Sequence, residues 1–321
     1  MVDNALLWRI AEYPATLLAL ALLLEWLLPL PLAMRPSSLV PLLERLCRKV
    51  NRKGAAVSQQ WLAGLLTPLV VLLPALLATW ALRNLALYPP AFDLLLLLWL
   101  LESRPLKSES LSITQLLRAD KLAMARLQLT RWTRRETRTL SAMGTMKATS
   151  EMLVLRLLGQ WLAVAFWYLL AGIGGALAFR LLQLMSQAFS PKLPANRLFG
   201  EPVSRLYGAA LLLPGTLFAL LLGLFPGGGR ALRSLFTQAK RWPCVGSGAL
   251  LAALAGGLNI QLGGPRLYGE AKVRLPRLGG IHEPDVTSME QARRRLTRLG
   301  WLLLLLALGF ELLVLHAHHQ L

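Results

Sequence analysis

The chain has 321 residues, 55% of them apolar, with a mean hydropathy of +0.51 and a net charge of +19. Soluble domains average roughly 45–50% apolar residues and disordered chains fewer, so neither class fits. The charge alone would suit a nucleic-acid binder, but membrane proteins also collect Lys and Arg in their cytoplasmic loops.

Taken in order, the apolar residues form blocks of bilayer-crossing length. The first runs over 14–33. It is too long for the core of a signal peptide, and Asp3 and Glu12 dilute the positive start such a peptide needs. Blocks over 61–82 and 86–101 predict a helical hairpin turning near Arg83 and Asn84. Residues 102–150 are charged and amphipathic; Ser112 and Gln115 have capping-box spacing, ahead of a helix that should lie on another surface. The fourth block covers 152–172, followed by a semi-apolar extension to Met185. The fifth covers 206–225, where Pro226 and three glycines break the chain. Within the polar stretch 226–298, the apolar piece Ala249 to Leu258 is too short to span, so it is re-entrant, interfacial or buried. Thr287 to Glu290 predicts a capped, arginine-rich helix. A sixth block covers 301–315, and His316, His318 and His319 read as a frayed polar tail.

The fold class expected is therefore all-α: a polytopic helical membrane protein of five or six spans with amphipathic cytoplasmic helices. The segments 34–60, 102–150 and 226–298 hold 28 of the 35 basic residues and 9 of the 16 acids, so they carry the whole net charge. Six spans put all three on one side. By the positive-inside rule that side is the cytoplasm, and both termini are expected to face outward. This explains the charge without nucleic acid and makes the lipid bilayer the first partner. Ionisable residues inside the blocks are costly. Glu25 and Arg156 are candidates to pair or line a polar cavity, whereas Asp93, Arg180 and Glu311 read as snorkelling at block ends. Gly172, Gly174 and Gly175 with Ala171 read as close helix packing. Two distant cysteines, Cys47 and Cys244, make no disulfide framework or zinc site, and no P-loop is present.

Several motifs in order resemble the CobD/CbiB family. Leu262-Gly-Gly-Pro-Arg-Leu-Tyr-Gly269 resembles the family's Leu-Gly-Gly-Pro-x-x-Tyr-Gly, with Pro276 and Pro284 following. Asp120 to Arg126, Arg134-Arg-Glu-Thr137, Glu151, Gly175-Ala-Leu-Ala-Phe-Arg180, and Phe199, Gly200, Arg205 and Pro214 fit earlier stretches. The resemblance covers roughly residues 15 to 300. It implies a role in cobalamin biosynthesis: ATP-dependent joining of a corrinoid carboxylate, adenosylcobyric acid, to aminopropanol phosphate, with magnesium on the ATP and cobalamin-pathway proteins as partners. The chain departs from the pattern in four places. The family's Glu-Asn-Thr-x-Asp-Gly falls on Leu155 to Gln160, its Asn-Thr-Leu-Asp-Ser on Gln183 to Gln187, its Arg-x-Asp-Asp-x-x-Asn stretch on Arg205 to Thr216, and its Ser-Pro-Asn-x-Gly on Cys244 to Leu251. Backbone-shaping residues persist while carboxylates and amides are lost, as in the AmpE-type branch of the superfamily.

A ligand cavity is expected near Arg134, Arg135, Glu136, Thr137, Arg205, Gly263, Gly264 and Tyr268. Arg135 and Arg205 offer forked donors to phosphate or propionamide groups, and the glycines bring N–H groups to an anion. No catalytic residue and no metal ligand is assigned. The alternative functions are a non-catalytic scaffold or regulator of AmpE type and, third, a small-molecule transporter.

Overall fold

The structure is a computed structural model that describes residues 13–319 apart from 29, 53 and 270. Asp3, Glu12 and Glu270 thus lie outside the described residues, as do the side chains of His318 and His319. The helices are α1 (Pro14–Leu27), α2 (Val40–Val50), α3 (Val57–Leu85), α4 (Pro89–Leu100), α5 (Arg104–Arg118), α6 (Leu122–Thr130), α7 (Ala142–Leu157), α8 (Ala163–Ala188), α9 (Arg197–Leu221), α10 (Gly228–Gln238), α11 (Val245–Leu258) and α12 (Val286–His319). One antiparallel hairpin, β1 (Gln261–Tyr268) and β2 (Ala271–Gly279), precedes α12.

Four helical segments are long and apolar enough to cross a membrane: Val57–Leu85, Ala142–Ala188, Pro194–Leu224 and Val286–Ala317. Their outward faces carry aliphatic and aromatic side chains such as Val70, Leu77, Trp80, Leu305 and Phe310. In water such a surface would be unfavourable; against lipid tails it is the expected solution. The first block is shorter than its sequence implies. α1 stops at Leu27, and the prolines at 29 and 31 have no N–H to continue the ladder. Likewise α4 has 12 residues and opens on Pro89 and Pro90, where the missing N–H groups are tolerated.

The segment 142–188 is not one straight rod. A π turn at Leu158–Leu162 joins α7 to α8, and α8 breaks at Ala171 (φ −132°, ψ 18°) and Gly172 (φ 64°, ψ −164°). The Gly172 conformation is essentially closed to residues with a Cβ. Beyond the break the chain folds back on itself. A Cβ on Gly175 would lie 3.0 Å from the Trp167 carbonyl oxygen, and one on Gly159 would lie 3.4 Å from Gln183 Cγ. In a continuous helix, residues 159 and 183 would stand roughly 36 Å apart. The semi-apolar extension is thus a returning arm, and the close glycine packing lies between two arms of one segment.

This hairpin carries the buried polar core. Arg180, fully buried, donates to Glu102, which is also buried, and to Gln183 Oε1 (2.6 Å). The snorkelling reading of Arg180 is therefore wrong: a partner from the loop after α4 holds its charge inside. Glu25 and Arg156 do not pair either. Glu25 accepts from Ser103 N (2.5 Å), Ser103 Oγ (2.8 Å) and Arg104 N (3.1 Å), while Arg156 Nε donates to the Trp132 carbonyl (2.9 Å). Asp93 pairs with Arg83 (3.0 Å), and Glu311 accepts from the Ala15 amide. Two capping expectations shift. Ser112 and Gln115 lie inside α5, and Asp285, not Thr287, caps α12: Ser288 N donates to Asp285 Oδ1 (2.8 Å) and Asp285 N to Ser288 Oγ (2.9 Å).

The three basic segments meet at one end of the molecule. Arg134 pairs with Glu44, Arg118 with Glu290 and Lys147 with Glu283. Residues 226–298 return to this end beyond α9, where Gly227 lies against Gly257 and Gly257 against Arg295. The short apolar piece, α11, is buried along nearly its whole length. The β-hairpin, in a stretch that reads from the sequence as polar chain, lies over α11 and α7.

Candidate functional site: a cationic cavity under the β-hairpin

Glu151, in the middle of α7, is among the described residues the one carboxylate lining a cavity of about 290 Å³ at the basic end. It is 2% exposed. Three donors converge on it: Arg135 Nη1 (3.1 Å), Arg266 Nη2 (2.9 Å) and the Gly263 amide (2.6 Å). Gly263 can approach because it has no side chain; with φ +87°, a Cβ there would sit 2.1 Å from the Pro276 carbonyl oxygen. The bulge between Gly263 and Pro265 then turns Arg266 of β1 inward. Arg135 arrives from the loop between α6 and α7, whose Glu136 amide donates to the Leu267 carbonyl (2.8 Å) and so ties it to the hairpin.

The other walls are cationic and aromatic. Arg156 lies 5.4 Å from the Trp132 ring centroid, Arg266 5.4 Å from that of Trp242, and Lys192 5.6 Å from that of Tyr268. Arg134 and Lys192 stand exposed at the mouth. Five cationic side chains therefore line the cavity against one carboxylate that already accepts from three donors, and one of the five, Arg134, also pairs with Glu44 outside it. Burial pulls Arg135 below the ordinary arginine value and Glu151 pushes back. The Nε–H groups of Arg135 and Arg266 and the Trp132 Nε1–H are buried without an acceptor. An unpaired buried donor costs about 1–3 kcal/mol, so the site is short of acceptors, which an anion supplies.

Of the residues expected from sequence, Arg134, Arg135 and Tyr268 line the cavity, and Gly263 anchors its carboxylate. Gly264, in the bulge, has open space where a Cβ would stand. Thr137 is buried against Thr130 (2.5 Å between hydroxyls). Glu136 turns its carboxylate to the Arg138 amide (2.9 Å). Arg205 is not part of the cavity. It pairs one helical turn away with Glu201 (2.6 Å) in a neighbouring outer groove. Arg156, a candidate from the sequence to line a polar cavity, does line this one; Gln183, Lys192, Tyr207 and Arg266 line it too, without being expected there. Arg266 fills a variable position of its motif, and the others stand where family motifs are interrupted or absent, so no pattern marked them.

A family model for CobD/Cbib protein matches residues 18–296. The chain belongs to the CobD/CbiB family. It is 30% identical over 305 residues to the cobalamin biosynthesis protein CobD of Chromobacterium violaceum, covering 94% of this chain and 97% of that protein. The CobD of Stutzerimonas stutzeri is 30% identical over 224 residues, covering 70% and 74%. The cobalamin biosynthesis protein CbiB of Salmonella typhi is 28% identical over 218 residues, covering 65% and 66%. No solved structure matches.

Against the family's motifs the cavity wall gains a meaning. All four departures reach it: Leu155 and Arg156 from the first, Gln183, Ser186 and Gln187 from the second, Tyr207 and Leu211 from the third, Cys244 and Ser247 from the fourth. Among the described residues this donor set offers magnesium no free carboxylate. Magnesium is held by carboxylates together with substrate phosphates. Here Glu151 is occupied by two guanidinium groups and an amide, and among the described residues no cluster of three potential metal ligands exists.

Proposed function

We propose that this protein serves cobalamin biosynthesis from the inner membrane, binding the anionic arm of a corrinoid-pathway intermediate in the cationic cavity without forming the amide bond itself. The observation that carries the reading is the convergence of all four altered motifs on one wall, with donors left over for an anion. At about 290 Å³ the cavity takes a carboxylate or phosphate arm rather than a whole corrin ring. Arg135 and Arg266, fixed by Glu151, form its floor; Arg156 and Lys192 supply charge from the side and mouth. The meeting of the three basic segments at one end supports a cytoplasmic mouth.

The test is incubation of the detergent-purified chain with adenosylcobyric acid, aminopropanol phosphate and Mg-ATP, with the corrinoid products read by mass. The expected result is retention of unreacted corrinoid and no amide product. Catalytic amide formation would overturn the reading. Absence of corrinoid binding, with or without Mg-ATP, would favour the scaffold or regulator reading that the lost carboxylates also support.

A further inference from the structure

A second and larger cavity, about 690 Å³, opens between α1, α5 and α12. It shares no lining residue with the first. Its α12 wall is a graded stripe at helical spacing: Arg294 and Arg298, then Trp301, then the exposed Leu305 beyond the cavity. Charge gives way to indole and then to aliphatic side chain along one face, the order met on passing from headgroups into hydrocarbon. α1 repeats the pattern from the other side, with Trp26 following Leu23. From α5, Arg104 and Lys107 add two more cations, Lys107 lying 4.2 Å from the Trp161 ring centroid.

Among the described residues the cations of this cavity outnumber their counter-charges. Among the described residues Glu25 is the one carboxylate lining it, and it is held by three donors from Ser103 and Arg104. Among the described residues no carboxylate pairs with Lys107, Arg294 or Arg298. Burial pulls Lys107 below the ordinary lysine value, and the Glu25 charge pushes back. The indole Nε1–H of Trp161, 4% exposed, has no acceptor.

We propose that this cavity binds an anionic phospholipid, its phosphate held by Lys107, Arg294 and Arg298 near the Trp161 indole N–H and one acyl chain lying along the Trp301 and Leu23 faces. The site does not depend on the corrinoid reading. A soluble phosphate ester would satisfy the cations but make no use of the Trp26 and Trp301 surface that continues from them, whereas one lipid accounts for both halves of the cavity.

The test is native mass spectrometry of the full chain in neutral detergent, titrated with phosphatidylglycerol or with phosphatidylcholine of the same acyl chains. Phosphatidylglycerol should be retained at least about tenfold more strongly, and the double variant R294Q/R298Q should lose about tenfold of that affinity at unchanged thermal stability. Both arginines are exposed, so the variant folds. W301A should weaken both lipids, and K192Q, in the other cavity, should change neither. Equal retention of the two lipids, an unaffected double variant, or an equal loss in K192Q would overturn the proposal. Displacement of the lipid by millimolar inorganic phosphate would overturn it in favour of a soluble phosphate ligand.

Discussion

At the scale of single residues, the strongest forces in this chain act through charges taken out of water. Arg180 and Glu102 are both buried, and removing one partner leaves the other uncompensated. E102Q should cost about 3–5 kcal/mol, while the double variant E102L/R180M should recover most of that loss, because an apolar pair of similar volume is close to neutral. Thermal unfolding of the detergent-purified protein reads both. Asp285 shows the opposite balance. Its hydrogen bond from the Ser288 amide holds the carboxyl below the usual carboxylate value. A depressed folded pKa contributes stability above the unfolded value, lost as pH falls through the folded one. D285A should therefore cost about 1 kcal/mol at neutral pH, and the gap to the parent should close in acid. Cys47, pushed up to about 11 by burial, should stay unmodified by maleimide at pH 8 until the protein unfolds.

At the scale of elements, the decisive feature is the reversal at Ala171–Gly172. It sets Gln183 beside Gly159 and so brings two of the altered motifs to one wall. G172A should cost about 1–3 kcal/mol, since alanine is poorly tolerated at φ 64°, ψ −164°. A fall in the unfolding temperature without loss of helical signal would match this; an unchanged temperature would not. The sequence announces glycines here, but hydropathy counts only apolar length, and the arms on either side of the turn are both apolar. A reversal between two apolar arms is invisible to that measure. The β-hairpin escaped for another reason. Lys272, Arg274 and Arg277 make β2 look like one more basic loop, although Val273 and Leu275 alternate with the first two as a strand requires. The Leu262 to Gly269 motif was legible as a motif. Its role, delivering the Gly263 amide to Glu151, needed the bulge geometry.

At the scale of the whole molecule, the net charge of +19 resolves into two cationic cavities and a basic end held together by cross-segment ion pairs. Counting Lys and Arg in loops was enough to group the three segments, because topology leaves its mark on composition. It was not enough to find Arg266 or Lys192 as site residues, since a cation in a ligand cavity and one on a lipid-facing loop have the same sequence signal; Arg156 stood out because it interrupts an apolar block. Single-cysteine reporters at Arg52, Arg138 and Lys240 should all label from the same face of the membrane; a split pattern would contradict the arrangement. The central claim is that the cavity around Glu151 binds a corrinoid anion through its cations alone. Equilibrium binding of adenosylcobyric acid to the purified chain, with and without Mg-ATP, tests it most directly. The account predicts the same affinity in both conditions and a weakening of about tenfold or more in R156Q/K192Q, which removes two cations while leaving the Glu151 cluster intact. Binding that required Mg-ATP, or that survived R156Q/K192Q unchanged, would contradict it.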